Sequence, residues 1–565
     1  MNKKIRWEKL AVYGLVALFA LLTCLWMPVN YNVNDDVELE GILSGMYTGS
    51  PDGHAIYIQA ILAYPLSWLY RWLPMLNWYG ILLCVLQWMG LGLLMERVWE
   101  RLDKKKSCML VIAIILLIFF IAVWENYVSI TYTTTAGILL AMTLFWYLTG
   151  DLCIYTQAIT ALLVLLALSL RFQFAPVILS VGGICWLLKV YREGIQRAWH
   201  LLAMLGVGLL LMIGCQHLAY ASVEWKEFLA FNAARTEVYD FTGIPSYEES
   251  RDFYDQYASG QQIFEALDIY DLTGRPEITT ELLEEVAEYQ TRKNRGKPLE
   301  EVKQAVKLSL TSFFVDQYGE SLSPLNLLMV ISWAVFLVSS IRRKSYDDFI
   351  AGLGVLAVMG AMWIYLAWQG RFLYRILFVM QLLMIMTAAG LWLYGEKALL
   401  SGGGLFHKKK LLIIAGLLLI PAMIQGVRCY QREIEVQLRN EDRALLEDYF
   451  AAHPEQFYFL TTPLVAPITD DVSFFTHQHP INYADLGGWV VKSPLYDERL
   501  QRAGIEKGDI RKLLLAQRGS VITSGRNMSY LFSDQYKENS EIKYLTIEYL
   551  ENKERYYYIH QYMLR

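Results

Sequence analysis

Charged residues are scarce in this chain, and their scarcity excludes most soluble classes of protein. Only 19% of the 565 residues are charged and 55% are apolar, whereas about a quarter of residues are charged in an average soluble domain. A disordered chain, a coiled coil and an ordinary cytosolic enzyme are all excluded on this ground. The net charge of −5 also lacks the basic excess of a nucleic-acid-binding protein. We therefore expect a membrane protein with no nucleic-acid partner.

The familiar motifs of soluble enzymes are missing too. The sequence contains no P-loop, GxSxG, HExxH or EF-hand pattern, so ATP hydrolysis, serine hydrolysis and zinc proteolysis have no support. Six of the seven cysteines lie within or beside apolar runs, and Cys429 follows the last run. The polar regions thus hold no cysteine pair that could form a disulfide.

Long apolar runs take the place of these features. About 20 mostly apolar residues cross the roughly 30 Å hydrocarbon core of a bilayer. The segment 55–73 is long enough, but it contains Pro65 and Arg71. If it lies along the outer interface, all five basic clusters of the chain face the cytoplasm, as the positive-inside rule requires; re-entrant packing inside the protein is the alternative. We predict eleven spans with a cytoplasmic N-terminus, at 10–28, 76–95, 107–124, 131–149, 154–170, 176–191, 198–220, 323–341, 347–367, 372–394 and 410–427.

The polar stretches between these spans predict the domain organisation of an α-helical polytopic membrane protein. An N-terminal membrane domain covers 1–220 and includes a first external loop, 29–75. A mainly helical extracytoplasmic insertion covers 221–322, and further spans cover 323–428. The tail 429–565 alternates strand-like and helical pieces, which predicts a small extracytoplasmic α/β domain. Within the tail we predict strands at 457–462 and 520–524, and helices at 442–453 and 507–517.

An acidic pair just after the first span is the first candidate for chemistry. Asp35 and Asp36 stand in NYNVNDDVELEG, preceded by Asn34. Two adjacent carboxylates repel each other, which raises the pKa of one of them and suits a general base or a metal ligand. A hydrated acidic loop would carry the same pair without any function. Ionisable residues beside a membrane are nevertheless a functional hypothesis by default.

Arginines at the outer ends of other spans are candidate phosphate ligands. Arg371 and Arg375 in WQGRFLYR are four residues apart, which predicts that they share one helical face. Arg171 and Gln173 lie at another external turn. The planar guanidinium group matches the oxygens of a phosphate. Contact with lipid headgroups is the alternative interpretation.

Further polar residues of the same face are weaker candidates. His54 in PDGHA could bind a substrate hydroxyl or cap the interfacial helix, and Asn232, Arg235 and Asp240 begin the insertion. Arg235 could instead pair with an acidic neighbour as part of the scaffold. The remaining candidates are Glu125, Asn126 and Tyr132 beside a threonine run, and Trp489 after the turn at Gly487 and Gly488. Trp489 looks exposed and could stack on a sugar face, but a turn followed by a core tryptophan is the commoner explanation.

An early carboxylate, eleven spans and external polar regions together resemble the GT-C superfamily of membrane glycosyltransferases, in particular the protein O-mannosyltransferases. The segment from NDDVELEG to LNWYG is also similar to uncharacterised bacterial multi-span proteins. The resemblance implies a bacterial plasma-membrane protein with horizontal helices near 55–73. It implies a hexosyltransferase-like enzyme that moves a sugar from a polyprenyl phosphate to an extracytoplasmic acceptor such as a cell-surface glycan.

The resemblance also implies roles for the candidate residues. Asp35 or Asp36 would be the catalytic base, and Arg371, Arg375 and Arg171 would hold the donor phosphate. Some GT-C enzymes use a divalent metal (Mg or Mn) and others do not, so a metal at the acidic pair stays open. A lipid-linked glycan polymerase or ligase, a flippase or transporter of lipid-linked saccharides, and a non-catalytic assembly protein remain alternatives. The expected substrate-binding residues are Asn34, His54, Gln173, Asn232 and Arg235.

Overall fold

The structure is a computed structural model in which most of the chain is helical. Apolar runs separated by short polar turns favour such a fold, because a membrane helix satisfies all of its backbone hydrogen bonds internally. The residues described are 3–101, 108–273, 275–293, 298–312, 324–395, 408–461, 472–473, 482–505, 510, 514, 519–523, 542–552 and 555–564.

The helices of the described residues follow the predicted apolar runs closely. A 3₁₀ turn at Phe172–Phe174 and a π-helix at Glu237–Thr242 interrupt the α-helical pattern. The α-helices are α1 Lys3–Trp26, α2 Asn34–Ser44, α3 Ala60–Trp72, α4 Trp78–Arg101, α5 Cys108–Ala122, α6 Glu125–Val128, α7 Tyr132–Thr149, α8 Ile154–Leu170, α9 Ala175–Glu193, α10 Ile195–Ala219, α11 Val223–Thr236, α12 Arg251–Tyr254, α13 Gly260–Asp268, α14 Thr280–Lys293, α15 Pro298–Ser312, α16 Pro324–Arg342, α17 Tyr346–Trp368, α18 Tyr374–Gly395, α19 Lys408–Ala452 and α20 Pro494–Arg502.

Several of these helices could cross a membrane, which confirms the prediction of a helical multi-pass membrane protein. Over the described ranges, eight helices are long and apolar enough: α1, α4, α9, α10, α16, α17, α18 and α19. Helices α5 and α8 are apolar but shorter, and α7 is an 18-residue helix buried along its whole length. The total of eleven spans and their orientation stay predictions.

The segment predicted to lie at the interface forms only the short helix α3. Its 13 residues extend about 20 Å at 1.5 Å per residue, well short of a span. One side of α3 buries Leu66 and Tyr70, while Trp68 and Trp72 on the other side are 61% and 71% exposed. Tryptophans on the outer side of a helix are typical of the interface between membrane and water. The interfacial position of this segment stays a prediction.

Helix α7 forms the centre of the bundle and packs against α18, α4 and α8. Its first turn is closed by a capping box, in which Thr131 accepts a hydrogen bond from the backbone N–H of Thr134 and Thr134 accepts one from that of Thr131. Helix α18 approaches most closely at Gly137, where a β-carbon would overlap the side chain of Val379. A glycine at this contact lets the two backbones come together, as is common between membrane helices.

The strands form two small sheets. A five-stranded sheet in the tail has the order β5-β3-β6-β8-β7, with β3 parallel to β5 and β6, and β8 antiparallel to β6 and β7. A second sheet, β2-β1-β4, joins the first loop, the start of α7 and the tail. The strands are β1 Asn30–Tyr31, β2 Ser129–Ile130, β3 Phe457–Leu460, β4 Val472–Ser473, β5 Tyr483–Asp485, β6 Gly519–Thr523, β7 Ile542–Asn552 and β8 Arg555–Leu564.

The tail elements can be compared with their predictions. Strands β3 and β6 fall on the segments predicted as strands, and the predicted helix 442–453 is the end of α19. The predicted helix 507–517 lies outside the described residues apart from Ile510 and Leu514. A helix that continues from the last apolar run into the tail had not been expected.

The insertion and the tail share one hydrophobic core, although the sequence treats them as separate domains. Leu283 and Val286 of the insertion belong to the same buried cluster as Phe459 and Val521 of the tail. The backbone N–H of Leu272 also donates to the carbonyl of Leu486 at 2.9 Å. We call this combined body the cap unit, meaning residues 223–293 together with the described part of 457–564.

Replacing Gly137 tests the close contact between α7 and α18. In Gly137→Ala the new methyl group must displace Val379 in a tightly packed interface, so we expect a loss of about 1–3 kcal/mol in unfolding free energy. Thermal unfolding in detergent would measure it. Gly416→Ala on α19 is the matched control, because a β-carbon there meets no atom within 4 Å. An equal effect of both substitutions would contradict the role given to Gly137.

Candidate functional site

The acidic pair lies in the first turn of α2, not in an irregular loop. Carboxylates at a helix N-terminus are stabilised by the exposed backbone N–H groups and the helix dipole. Helix α2 ends at Gly45, whose φ of +84° closes the helix in a left-handed conformation. Just before α2, strand β1 pairs in parallel with β2, which leads into α7. This pairing places the starts of α2 and α7 side by side.

Asp36 is completely buried and connects these two helix starts. Its Oδ1 accepts a hydrogen bond from the Tyr79 hydroxyl at 2.7 Å and another from the backbone N–H of Tyr132, the first residue of α7, at 2.8 Å. Burial raises the pKa of Asp36 to about 8, although these two hydrogen bonds oppose the shift. A hydrated acidic loop would not produce such burial. Asp36 therefore anchors α2 on the N-terminus of α7.

Asp35 is the more accessible carboxylate of the pair. Its side chain is 16% exposed, and its Oδ2 lies 3.8 Å from Nη2 of Arg375. Burial raises the pKa of Asp35, while the positive charges of Arg375, Arg171 and Arg235 act in the opposite direction. The Asp35 carboxylate thus lies beside the Arg375 guanidinium, feels the positive charges of Arg171 and Arg235, and is partly exposed.

The arginines predicted from the sequence come together near Asp35. Tertiary contacts bring them there, not a shared helical face. Arg371 precedes α18, which begins only at Tyr374, so the expectation that Arg371 and Arg375 share a helical face is wrong. The chain turns at Gly370, whose φ is +67°, and Arg371 pairs with Asp240 at 3.2 Å. Arg171 ends α8 and donates a hydrogen bond to the hydroxyl of Tyr132. We call Asp35, Asp240, Arg171, Arg235 and Arg375 the Asp35 cluster.

A cavity of about 650 Å³ lies beside the Asp35 cluster, and Arg375 belongs to both. Three further arginines, Arg428, Arg432 and Arg439, line it from α19. Their spacing of four and seven residues places them on one stripe of that helix. We call this space the arginine cavity. Its other lining residues include Met27, Ile121, Glu125, Asn126, Leu325 and Glu435.

The α19 arginines are functional candidates that sequence reasoning missed. The last apolar run ends at 427, and the residues after it look like the start of a separate domain. Helix α19 instead continues through both segments for 45 residues. The available signal was the four- and seven-residue spacing of arginines directly after the run. Glu125, a weaker candidate, lies here and pairs with Arg432 at 2.5 Å.

The other predicted residues of the first loop and of the turn between α8 and α9 are His54, Asn34 and Gln173. Both ring nitrogens of His54 have protein partners, Asp52 at 2.7 Å and the carbonyl of Ala219 at 3.1 Å, and its ring stacks on Trp225. His54 thus fastens the first loop to the end of α10. Asn34 is the first residue of α2, and Gln173 is exposed in the 3₁₀ turn after α8.

Two further predicted residues, Arg235 and Trp489, belong to the cap unit, and both are buried. Arg235 is only 5% exposed, and it donates to neutral groups of the described residues, including the carbonyl oxygen of the Asn232 side chain at 2.9 Å. Trp489 is 6% exposed, so it is a core tryptophan and not an exposed ring for a sugar to stack on. Its ring packs against Tyr57 with centroids 4.7 Å apart, and Tyr57 in turn stacks on Tyr132.

The donor atoms of this site do not favour a divalent metal. Asp35 faces the guanidinium of Arg375 and Asp36 uses Oδ1 for Tyr79 and the α7 backbone. Among the residues that the structure describes, no group of three or more His, Cys, Asp or Glu side chains could hold a metal ion. Hard cations prefer several oxygen ligands at once. We therefore derive no catalytic step through a metal.

Comparisons with known protein families, characterised proteins and solved structures give no match for this chain. What the site can do must be argued from its own geometry. A partly accessible carboxylate can take a proton, and a cavity lined by four arginines can hold an anion. Arg375 contacts this carboxylate and also lines this cavity.

The buried carboxyl of Asp36 predicts a pH-dependent stability. Because the folded protein, with a pKa of about 8 at Asp36, holds this proton more tightly than the unfolded chain, stability should fall as the pH rises from about 4 to about 8. Asp36→Asn keeps an acceptor oxygen but cannot ionise. We expect its melting temperature to match that of the unmodified protein near pH 4 and to exceed it by several degrees at pH 8.

The control for this measurement is Asp268→Asn, which changes an exposed carboxylate of the cap unit. It should leave the pH dependence of the melting temperature as it is. Parallel curves for Asp36→Asn and the unmodified protein would contradict the assignment of a raised pKa to Asp36.

Proposed function

We propose that the protein is a membrane glycosyltransferase that moves a sugar from a polyprenyl phosphate to an extracytoplasmic acceptor. The donor would be a phosphodiester whose isoprenoid chain stays in the bilayer. The proposal rests on the geometry of the Asp35 cluster and the arginine cavity, together with the resemblance to GT-C enzymes. The same proposal places the cap unit and the first loop outside the cytoplasm.

One observation carries the proposal: Arg375 contacts Asp35 and also lines the arginine cavity. A glycosyl transfer needs a base for the acceptor hydroxyl and cations for the leaving phosphate, one on each side of the anomeric carbon. The side chain of Arg375 bridges two places suited to these tasks. Met27, Ile121 and Leu325 of the cavity wall come from the ends of apolar helices, where the head of a lipid would enter.

The proposed step can be written with its atoms and charges. The acceptor hydroxyl oxygen forms a bond to the anomeric carbon while its proton passes to the Asp35 carboxylate. The bond between the anomeric carbon and the phosphate oxygen breaks, and its electron pair stays on the phosphate. A positioned base of this kind contributes on the order of 10²–10⁴ in rate.

The arginine cavity suits the charge that develops in this step. The donor phosphodiester carries one negative charge, and the departing polyprenyl phosphate gains a second as the bond breaks. Four arginines and the two carboxylates Glu125 and Glu435 line the cavity, so its cationic side chains outnumber its anionic ones. Fixed cations that interact more strongly with the transition state than with the donor accelerate the reaction.

Asp36 fits a supporting role better than that of the base. It is 0% exposed, and its Oδ1 is engaged by Tyr79 and the α7 backbone. A base must come within hydrogen-bonding reach of the acceptor proton, which favours Asp35. The resemblance alone leaves the choice between the two open.

Separate substitutions of the two carboxylates test this assignment. In a detergent assay with a panel of polyprenyl-phosphate sugars, Asp35→Asn should lower transfer at least about 100-fold, because it removes the base. Asp36→Asn keeps the oxygen that holds α7 and should lose much less. Asp268→Asn, an exposed cap-unit variant, controls for nonspecific damage.

Transfer retained in Asp35→Asn and in the double variant with Asp36→Asn would refute catalysis by the pair. Lipid binding without transfer by the unmodified protein would favour a flippase or transporter. Transfer of whole saccharide chains from a lipid pyrophosphate would favour a polymerase or ligase.

A second experiment addresses the cavity. Arg375→Gln should lower transfer by about 10²-fold, since one fixed donor to the leaving phosphate is lost, and Arg428→Gln should raise the KM for the donor. Arg292→Gln is the matched control, because Arg292 is an exposed arginine of the cap unit paired only weakly with Glu288 at 3.6 Å. Unchanged donor kinetics in both cavity variants would remove the arginine cavity from the mechanism.

A further inference from the structure

Two unusual backbone segments of the cap unit lie next to the Asp35 cluster. One is the π-helix Glu237–Thr242, a rare conformation that is frequent at functional sites. The other is Tyr270, whose φ of +61° is unfavourable for an aromatic residue. Such backbone strain persists only where the surrounding structure holds it, and it concentrates at binding and active sites. The strain in both segments therefore indicates a role at the Asp35 cluster.

Tyr270 is held by Arg235 from the last turn of α11. Arg235 donates to the Tyr270 hydroxyl, to Asn232 Oδ1 and to Thr236 Oγ1, the last two at 2.9 Å. The ring of Tyr270 packs against that of Tyr239 with centroids 4.1 Å apart. Three hydrogen bonds and one ring contact thus fix the Arg235–Tyr270 pair. The ring contact with Tyr239 places the pair beside the π-helix, whose Asp240 pairs with Arg371 just before α18.

The π-helix reaches the same place through Asp240. Its carboxylate pairs with Arg371 at 3.2 Å, and the Arg371 guanidinium also lies over the ring of Phe241 at 5.3 Å. This pair joins the cap unit to the start of α18, which carries Arg375. Aromatic rings and paired charged groups of the cap unit therefore lie beside the start of α18, whereas the arginine cavity is lined by α19 and by the ends of bundle helices.

We propose that Tyr270 and Arg235 form the acceptor-binding wall of the site and select a saccharide hydroxyl. This inference rests on the proposed function and deepens it by naming the acceptor class. Tyr239 and Tyr270 supply packed aromatic rings, and the partly exposed Asp240–Arg371 pair supplies hydrogen-bonding groups in fixed positions. Rigid rings beside oriented polar groups suit a polyhydroxylated ring, which presents apolar C–H faces and several hydroxyl groups at once.

The test separates the acceptor from the donor. Transfer is measured with one polyprenyl-phosphate hexose and a panel of mono- and disaccharide glycosides, alongside donor hydrolysis by water without acceptor. Tyr270→Phe removes only the hydroxyl that Arg235 holds. It should raise the acceptor KM about tenfold, in keeping with one lost hydrogen bond, while donor KM and hydrolysis stay unchanged. Arg235→Lys, which keeps the charge but not the fork, should show the same split.

The control is Tyr289→Phe, which removes a tyrosine hydroxyl of the cap unit bonded to Asp252 at 2.9 Å. It should change neither KM. An unchanged acceptor KM in Tyr270→Phe, an equal rise in donor KM, or transfer to a peptide in preference to every saccharide would overturn the inference.

Failure of the proposed function can be recognised separately. It would appear as no donor cleavage by the unmodified protein under any condition. The acceptor wall is then tested by equilibrium binding of the same saccharides without donor: weaker binding to Tyr270→Phe than to Tyr289→Phe would uphold the wall, and equal binding would overturn it.

Discussion

The hydrogen bond from the backbone N–H of Tyr132 to Asp36 is the contact on which the site depends. It joins the first residue of a completely buried helix, α7, to the first turn of α2. A buried carboxylate at a helix N-terminus satisfies a donor that has no partner within the helix. Helix α7 is packed on several sides, which fixes its position. The hydrogen bond to Asp36 then fixes the start of α2 as well. Asp35, the residue directly before Asp36, therefore has a defined position in spite of lying shortly after the apolar helix α1.

The cap unit holds α2 from the opposite side. Arg499 donates to the carbonyl of Tyr47 at 2.9 Å, and its guanidinium lies between the rings of Tyr47 and Tyr483, 4.6 Å from each centroid. Burial and the nearby charge of Glu38 raise the pKa of Asp485 well above its usual value. Glu38 is one turn beyond Asp35 on α2, so the contact with the cap unit bears directly on the helix that carries the proposed base. The helix that carries the proposed base is thus held at its start by α7 and just after its end by Arg499, which lies more than 400 residues further along the chain.

Features that depend on local interactions could be predicted from the sequence, whereas features that depend on long-range contacts could not. Apolar runs report local helix formation, so the helices of the bundle and the strands at 457–462 and 520–524 were placed well. The site residues Asp35, Arg171 and Arg375 were found because charge beside a membrane is costly and therefore conspicuous. Their mutual contacts could not be predicted. The four-residue spacing indicated a shared helical face for Arg371 and Arg375, but residues 371–373 are not helical and α18 begins only at Tyr374.

Long-range packing explains the other differences. Trp489 follows two glycines and looks exposed, but Tyr57 from the first loop covers it. The arginines of α19 were missed because the end of an apolar run was taken as the end of a helix. A helix that leaves a membrane loses its lipid contacts but keeps its backbone hydrogen bonds, so it ends only where capping or packing stops it. Here α19 continues to Ala452 and buries Leu446 and Phe450 with the tail sheet.

This continuity gives α19 a place in the proposed mechanism. One stripe of the helix lines the arginine cavity and the segment beyond it packs against the tail sheet, so a single rigid element sets the distance between the phosphate ligands and the cap unit. The proposed base stands between them. A sugar attached to a phosphate in the cavity would have to extend past Arg375 to reach an acceptor at Tyr270. With the donor confined by the bundle and the acceptor by the cap unit, the anomeric carbon would lie near Asp35 and Arg375. Orientation of both substrates by fixed walls can lower the barrier by several kcal/mol, in addition to the electrostatic effect of the arginines.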